Sequence, residues 1–272
     1  MERRAFLAAS TAAAVLPSGA LVGADAAGSG QAAAPGARPL LYELRRYRMH
    51  TGVMATRFGA YVKDALVPAL NRAGIAPVGV WNVALGADSP TLFVLIPHAD
   101  AASVASLDER LSADAEYRKA AEPIALLPSG DPPYTRCDSS LHAGVPTFPG
   151  LGKPAGAAAG ASRVFELRTY RSHSKSASRK KIEMFEQGGE LAIFRRVGLA
   201  TVFFARDLVG EGLPSLTYLL VFADGATREK NWDVFRQDPE WLKLRAQPGY
   251  ADAEIVSGIT STLLRPADGS QI

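Results

Sequence analysis

One cysteine, Cys137, stands among 272 residues, so the chain can close no internal disulfide. Its stability must come from apolar cores, which 47% hydrophobic residues can supply. No charge of one sign dominates: 30 Lys and Arg face 27 Asp and Glu, a formal net charge of +3. A nucleic-acid footprint needs basic side chains clustered on one face of a recognised module, and none is visible. The one local basic cluster, Lys175, Arg179, Lys180 and Lys181, reads as a solvated helix start rather than a patch for acidic lipids. No apolar run approaches the ~20 residues of a membrane span. Catalytic motifs are also scarce. No HxxxH or paired-carboxylate spacing points to zinc. Gly150-Leu151-Gly152 has no strand before it or helix after it, which a phosphate loop requires. Ser139-Ser140 shows no nucleophile elbow and no ordered partner.

What is present begins at the N-terminus. Arg3-Arg4-Ala5-Phe6-Leu7 is a twin-arginine pair leading an apolar run to Leu16, and Ala24-Asp25-Ala26 is a small-residue cleavage site. This pattern resembles a Tat signal over residues 1–26. The expectation is export by the Tat route to the periplasm or beyond the cell. Residues 27–39 are Ala, Gly, Ser and Pro and read as a disordered leader.

The body of the chain is written twice. Tyr42-Glu43-Leu44-Arg45-Arg46-Tyr47-Arg48-Met49-His50 returns as Phe165-Glu166-Leu167-Arg168-Thr169-Tyr170-Arg171-Ser172-His173. Gly74 and Gly198, Pro90 and Pro214, Asp100 and Asp224, and Asp114-Ala115-Glu116-Tyr117 and Asp238-Pro239-Glu240-Trp241 keep nearly the same spacing. The repeat is too long for a solenoid, so each copy is a compact domain. The domains are 40–143 and 163–266, with a Gly/Pro/Ala linker at 144–162.

Within each copy the patterns read strand, helix, strand, strand, helix, strand. In copy one these are a strand at 40–48, a helix carrying Phe58, Tyr61, Val62, Ala65, Leu66, Ala69 and Leu70 on one stripe, strands at 78–83 and 92–96, a helical region at 101–120, and a strand at 134–142. Pro68 should bend the first helix and Gly74 should end it. Copy two repeats the order at 163–171, 177–196, 199–206, 215–222, 226–245 and 254–264, with Asp238-Pro239 opening a separate short helix. Trp81, Trp232 and Trp241 fall at core positions. This is the ferredoxin-like order, which leaves one sheet face bare. The expected class is α+β: two tandem ferredoxin-like domains packed sheet to sheet as an intramolecular α/β barrel.

The repeated Glu-Leu-Arg-x-Tyr strand, the helix ends Arg72-Ala73-Gly74 and Arg196-Val197-Gly198, the Asp-Pro-Glu-Trp segment and the closing Leu264-Arg265-Pro266 together resemble the NIPSNAP family. Copy one departs from that pattern at 114–117 and at Leu141-His142. The resemblance implies a dimeric α/β-barrel fold and no settled chemistry. The wider superfamily includes small monooxygenases and haem peroxidases, so fold alone does not choose between them.

If Tyr42, Leu44, Phe165 and Leu167 pack on the helices, then Glu43, Arg45, Tyr47, Glu166, Arg168 and Tyr170 face the barrel interior. Two readings stand: Glu-Arg pairs that only hold the sheets, or a polar pocket for a small anionic or phenolic ligand. His50 and His173 follow the two strands and are placed on exposed loops, with an acid/base role or a haem axial position as the alternative. His98 and His142 read as surface residues. No metal or cofactor is expected; haem belongs only to the alternative reading, an oxidoreductase of the barrel superfamily. No nucleic acid or membrane span is expected, and the barrel should close within one chain.

Replacing Arg3 and Arg4 by lysine should leave unprocessed precursor in the cytoplasm. Fractionation and immunoblotting check this, and normal processing of the variant would remove the Tat assignment.

Overall fold

The structure, a computed structural model, describes residues 39–86, 89–148, 150–152 and 162–272. The expected signal at 1–26, nearly all of the expected leader, and residues 149 and 153–161 of the expected linker lie outside the described residues. Copy one runs β1 (Leu41–Arg48), α1 (Val53–Tyr61), α2 (Val67–Arg72), β2 (Gly79–Leu85), β3 (Thr91–His98), α3 (Ala101–Ala105), α4 (Leu107–Ala113), α5 (Ala115–Ala125) and β4 (Arg136–Gly144). Copy two runs β5 (Val164–Arg171), α6 (Lys175–Glu186), α7 (Glu190–Arg196), β6 (Ala200–Val209), β7 (Ser215–Phe222), α8 (Gly225–Gln237), α9 (Pro239–Arg245), α10 (Asp252–Ile255) and β8 (Gly258–Pro266). The expected strand at 254–264 is shortened at its start, where α10 occupies Asp252–Ile255.

The repeated residues build the same devices in both halves. Gly74 and Gly198 both take positive φ and end helices in the same way: Ile75 N–H bonds Leu70 C=O, and Leu199 N–H bonds Phe194 C=O. That closure needs a left-handed residue after the cap, which glycine supplies without strain. Arg72 reaches the α5 N-cap Asp114 at 2.8 Å, as Arg196 grips the α9 N-cap Asp238 at 2.8 and 3.1 Å. The Arg-x-Gly signature therefore ties one helix end to the start of another. Pro68 acts through a π-helical turn, Val62–Leu66, that runs into α2. The wider turn gives room to the carbonyl that its ring would otherwise crowd.

The eight strands form one closed antiparallel barrel in the order β1-β3-β2-β8-β5-β7-β6-β4. Each copy contributes a four-stranded ferredoxin-like sheet. The two open edges of each sheet pair with those of the other, β2 with β8 and β4 with β6. Closure removes every sheet edge and turns the bare faces inward.

The orientation of the signature strands is the reverse of the one expected. Tyr42, Leu44, Phe165 and Leu167 fill the barrel interior together with Trp81, Phe93, Leu95, Phe203 and Leu264. Tyr47 and Tyr170 lie in the outer cores, beneath the helices of their own halves. Glu43, Arg45, Glu166 and Arg168 share that outer face. Both faces of these strands are covered, so alternation separates two faces without saying which is inside. Trp81, Trp232 and Trp241 are buried as expected. Lys181 departs from the solvated-face reading: it is buried at 1% exposure. Its Nζ lies 3.5 Å from Glu190 and 3.3 Å from Asp252, and beneath it are the rings of Tyr170 and Phe185.

Because both seams join one half to the other, residues 40–150 and 160–272 expressed separately should associate with each other or self-dimerise. Analytical ultracentrifugation checks this, and two folded halves that stay monomeric would contradict closure as the source of stability.

Candidate functional site

The repeated Glu-x-Arg-x-Tyr set forms two structural brackets. Glu166 is fully buried and accepts five hydrogen bonds, from Arg168 (2.8 Å), Arg228 (2.8 and 2.9 Å), Trp232 Nε1 (2.7 Å) and Ser261 (2.6 Å). Burial would raise its pKa, yet hydrogen bonds from Arg228, Ser261 and Trp232 and the charge of Arg168 hold it down at about 2. Glu43 repeats this more simply. Arg45 donates at 2.7 and 3.1 Å and Ser139 at 2.8 Å. His98 Nε2 lies 3.4 Å from its carboxylate. Burial is again outweighed, by His98, Arg45 and Ser139, and Glu43 also sits at about 2. Carboxylates satisfied in this way tie β1 and β5 to the adjacent β4 and β8 and to the helical layer.

The histidines divide differently from the expectation. His50 and His173 are exposed after β1 and β5 and neither joins the signature set. His98 and His142, read as surface residues, are buried at 1% and 3% exposure. Each is retained inside by a charged partner: His98 beside Glu43, and His142 with Nδ1 2.7 Å from Asp207 Oδ1. Cys137 is exposed on β4.

The pocket lies at one end of the barrel interior. Successive inward residues run from the apolar core to a polar mouth: Leu44 then Arg46 on β1, Leu167 then Thr169 and Arg171 on β5, and His142 then Ser140 and Asp138 on β4. The cavity is about 480 Å³, with Phe93, Leu44 and Leu167 at its apolar side, a size suited to a small organic ligand. Arg46, Arg48 and Arg136 gather on Asp138 at 3.0, 3.2 and 2.5 Å. Burial would raise the Asp138 pKa, but Arg136 and Arg46 lower it. Arg171 donates to Thr260 Oγ1 at 2.9 Å and forms no ion pair among the described residues. Gly212, at φ +69°, passes so close to Arg171 that any side chain there would displace it.

Ser140 does have an ordered partner, contrary to the sequence reading. Its Oγ lies 2.8 Å from His142 Nε2. Asp207 in turn accepts from Ser215 (2.6 Å) and Thr217 (2.9 Å). A Ser–His–Asp chain therefore faces the cavity. The sequence held a signal for it, in what is not repeated. His142 pairs with Asp207 across the β4–β6 seam, whereas the matching seam pairs Leu264 with Val83. Among the described residues no cluster of three or more His, Cys, Asp or Glu is placed to hold a metal ion, and no helix is long and apolar enough to cross a membrane.

A family model described as NIPSNAP matches residues 42–127 and 165–271. A search of curated proteins returns no match. Among solved structures, a putative monooxygenase from Fusobacterium nucleatum superposes with a TM-score of 0.56 at 9% identity, covering 85% of this chain and 93% of its own. A second, from Lactobacillus acidophilus, gives 0.53 at 9% identity, covering 85% and 98%. A NIPSNAP-like domain protein from Burkholderia xenovorans is 20% identical over 39% of this chain and 85% of its own, with a TM-score of 0.34. The first two show a shared fold.

The brackets generate a pH dependence. A folded pKa of about 2 against an ordinary 4.5 means that Glu166 contributes stability in full above about pH 4.5, lost as pH falls through 2. The displacement corresponds to about 3 kcal/mol. Urea unfolding should therefore show Glu166→Gln less stable than wild type by about 3 kcal/mol at pH 6. The gap should close as pH falls towards 2. A gap that stays constant over this range would show that ionised Glu166 is not the stabilising species.

Proposed function

The chain belongs to the NIPSNAP family, and we propose that it binds a small organic ligand in the polar mouth of its barrel. The observation that carries this reading is the cavity of about 480 Å³, whose apolar side meets a rim bearing Arg46, Arg136 and Arg171. Such a site suits a ligand with an aromatic or aliphatic body and an anionic or phenolic head. The body replaces water against Leu44, Phe93 and Leu167, and the head meets a guanidinium. Arg171 is the best-placed cation, because it has no carboxylate to give up. Its planar fork offers two parallel donors to a carboxylate or sulfonate. Glu43, Arg45, Tyr47, Glu166, Arg168 and Tyr170 lie on the other face of the sheet and shape this pocket only by fixing the strands.

An oxidoreductase is the second reading. It draws on two fold neighbours named putative monooxygenases and on His142, a base inside the cavity for a phenolic proton. The donors present do not favour haem, since both ring nitrogens of His142 are engaged. Stoichiometric dioxygen uptake with a phenolic ligand would favour this second reading.

The binding reading is tested with 1-naphthalenesulfonate, an aromatic anion whose fluorescence reports transfer from water. Wild type should bind one equivalent. Arg171→Gln should raise Kd about tenfold with an unchanged melting temperature. Arg195→Gln, an exposed change on α7, should have no effect. Equal weakening by both variants would reduce the interaction to general surface charge and remove the pocket assignment.

A further inference from the structure

We propose that Ser140, His142 and Asp207 form a nucleophilic centre that hydrolyses small esters at the barrel mouth. The proposal rests on the reading of that mouth as a ligand pocket and gives it a chemistry.

The geometry is that of an activated serine. Ser140 Oγ stands 2.8 Å from His142 Nε2, and His142 Nδ1 stands 2.7 Å from Asp207 Oδ1. A carboxylate at Nδ1 fixes the proton there and leaves the Nε2 lone pair facing the serine hydroxyl. Asp207 is itself held through its second oxygen by the hydroxyls of Ser215 and Thr217, so the imidazole is aimed by a fixed group. All three side chains line the cavity. Ser140 Oγ has one other acceptor, Leu44 C=O, at the longer distance of 3.3 Å.

The duplication supplies an internal control. Both seams carry a register shift at this place, and both close the barrel. At the β2–β8 seam the fold is completed by Val83 and Leu264, and Thr262, opposite Leu167, takes the place that Ser140 has opposite Leu44. Closure therefore does not need a buried histidine and a buried carboxylate, and apolar pairs commonly serve as well or better in such positions. Gly210 adds to this. A Cβ there would lie 3.1 Å from that of Ser140, so the glycine leaves space open beside the hydroxyl.

In the reaction, Ser140 Oγ attacks the ester carbonyl carbon as its proton passes to His142 Nε2. The C–O bond to the alcohol breaks, and the alcohol leaves with that proton. Water then attacks the acyl-serine by the same route, releasing the carboxylic acid and restoring Ser140. No electrons change hands. Arg46, on the same cavity wall, supplies positive charge for the transient oxyanion. The substrates are esters whose acyl part fits against Leu44 and Leu167. The carboxylate product matches the arginine rim.

The test uses the full chain with a small alkyl fluorophosphonate, followed by intact mass and peptide mapping, and with 4-nitrophenyl acetate in the steady state. A single adduct on Ser140 is expected, absent in Ser140→Ala. The double variant His142→Leu/Asp207→Val copies the other seam. It should melt like wild type and label at least about 100-fold more slowly. His142→Gln should slow labelling similarly, so the comparison survives if the double variant unfolds. Asp207→Asn should change the pH–rate profile, because the imidazole tautomer is no longer fixed; a structural role would move only the melting temperature. No adduct on Ser140, or labelling at the wild-type rate in a folded His142 variant, would overturn the proposal. Should 1-naphthalenesulfonate still bind in that case, the pocket stands and only the nucleophile falls. Loss of both would remove the pocket as well.

Discussion

Edge pairing between the two copies is the constraint on which the rest of the structure depends. A four-stranded ferredoxin-like sheet has one face covered by helices, one bare face and two open edges. Here β2 finds β8 and β4 finds β6, so edges and bare faces are satisfied together. The interior that results is filled at one end by Tyr42, Trp81, Phe165 and Phe203 and left open at the other. The pocket is thus the part of the barrel that the apolar side chains do not fill.

Duplication then divides the work. What is the same in both copies is structural: Glu43 and Glu166 each gather an arginine two residues on and a serine from the adjacent strand, and Arg72 and Arg196 each grip a helix N-cap. One difference between the copies lies at the mouth. One seam carries Asp207 and His142, the other Val83 and Leu264. A single chain containing both copies can diverge in this way, because a change in one half need not be repeated in the other.

Much of the fold was legible in the residues. The repeat, the order of elements and the glycine and proline punctuation read directly, because turn and cap chemistry is local. The site was not. Glu-x-Arg-x-Tyr looked like a polar interior because alternation reports two faces and not which one is enclosed. Its partners Arg228, Trp232 and Ser261 come from distant positions that no spacing links. His98 and His142 looked exposed because isolated histidines at strand ends carry no sign of the buried carboxylates that hold them. Asp207 carries no local signal for the same reason: its meaning comes from the strand across the seam. Its signal lies in a difference between the copies, Asp207 against Val83, and not in their agreement.

The central claim is that ligands enter the barrel interior and do not lodge between sheet and helices. Methyl-labelled NMR during a titration with 1-naphthalenesulfonate tests it directly. Leu44 and Leu167 line the cavity, whereas Val62 and Met184 belong to the outer cores. The account predicts saturable shifts in the methyls of Leu44 and Leu167, with Val62 and Met184 unmoved. Shifts confined to Val62 or Met184 would contradict it.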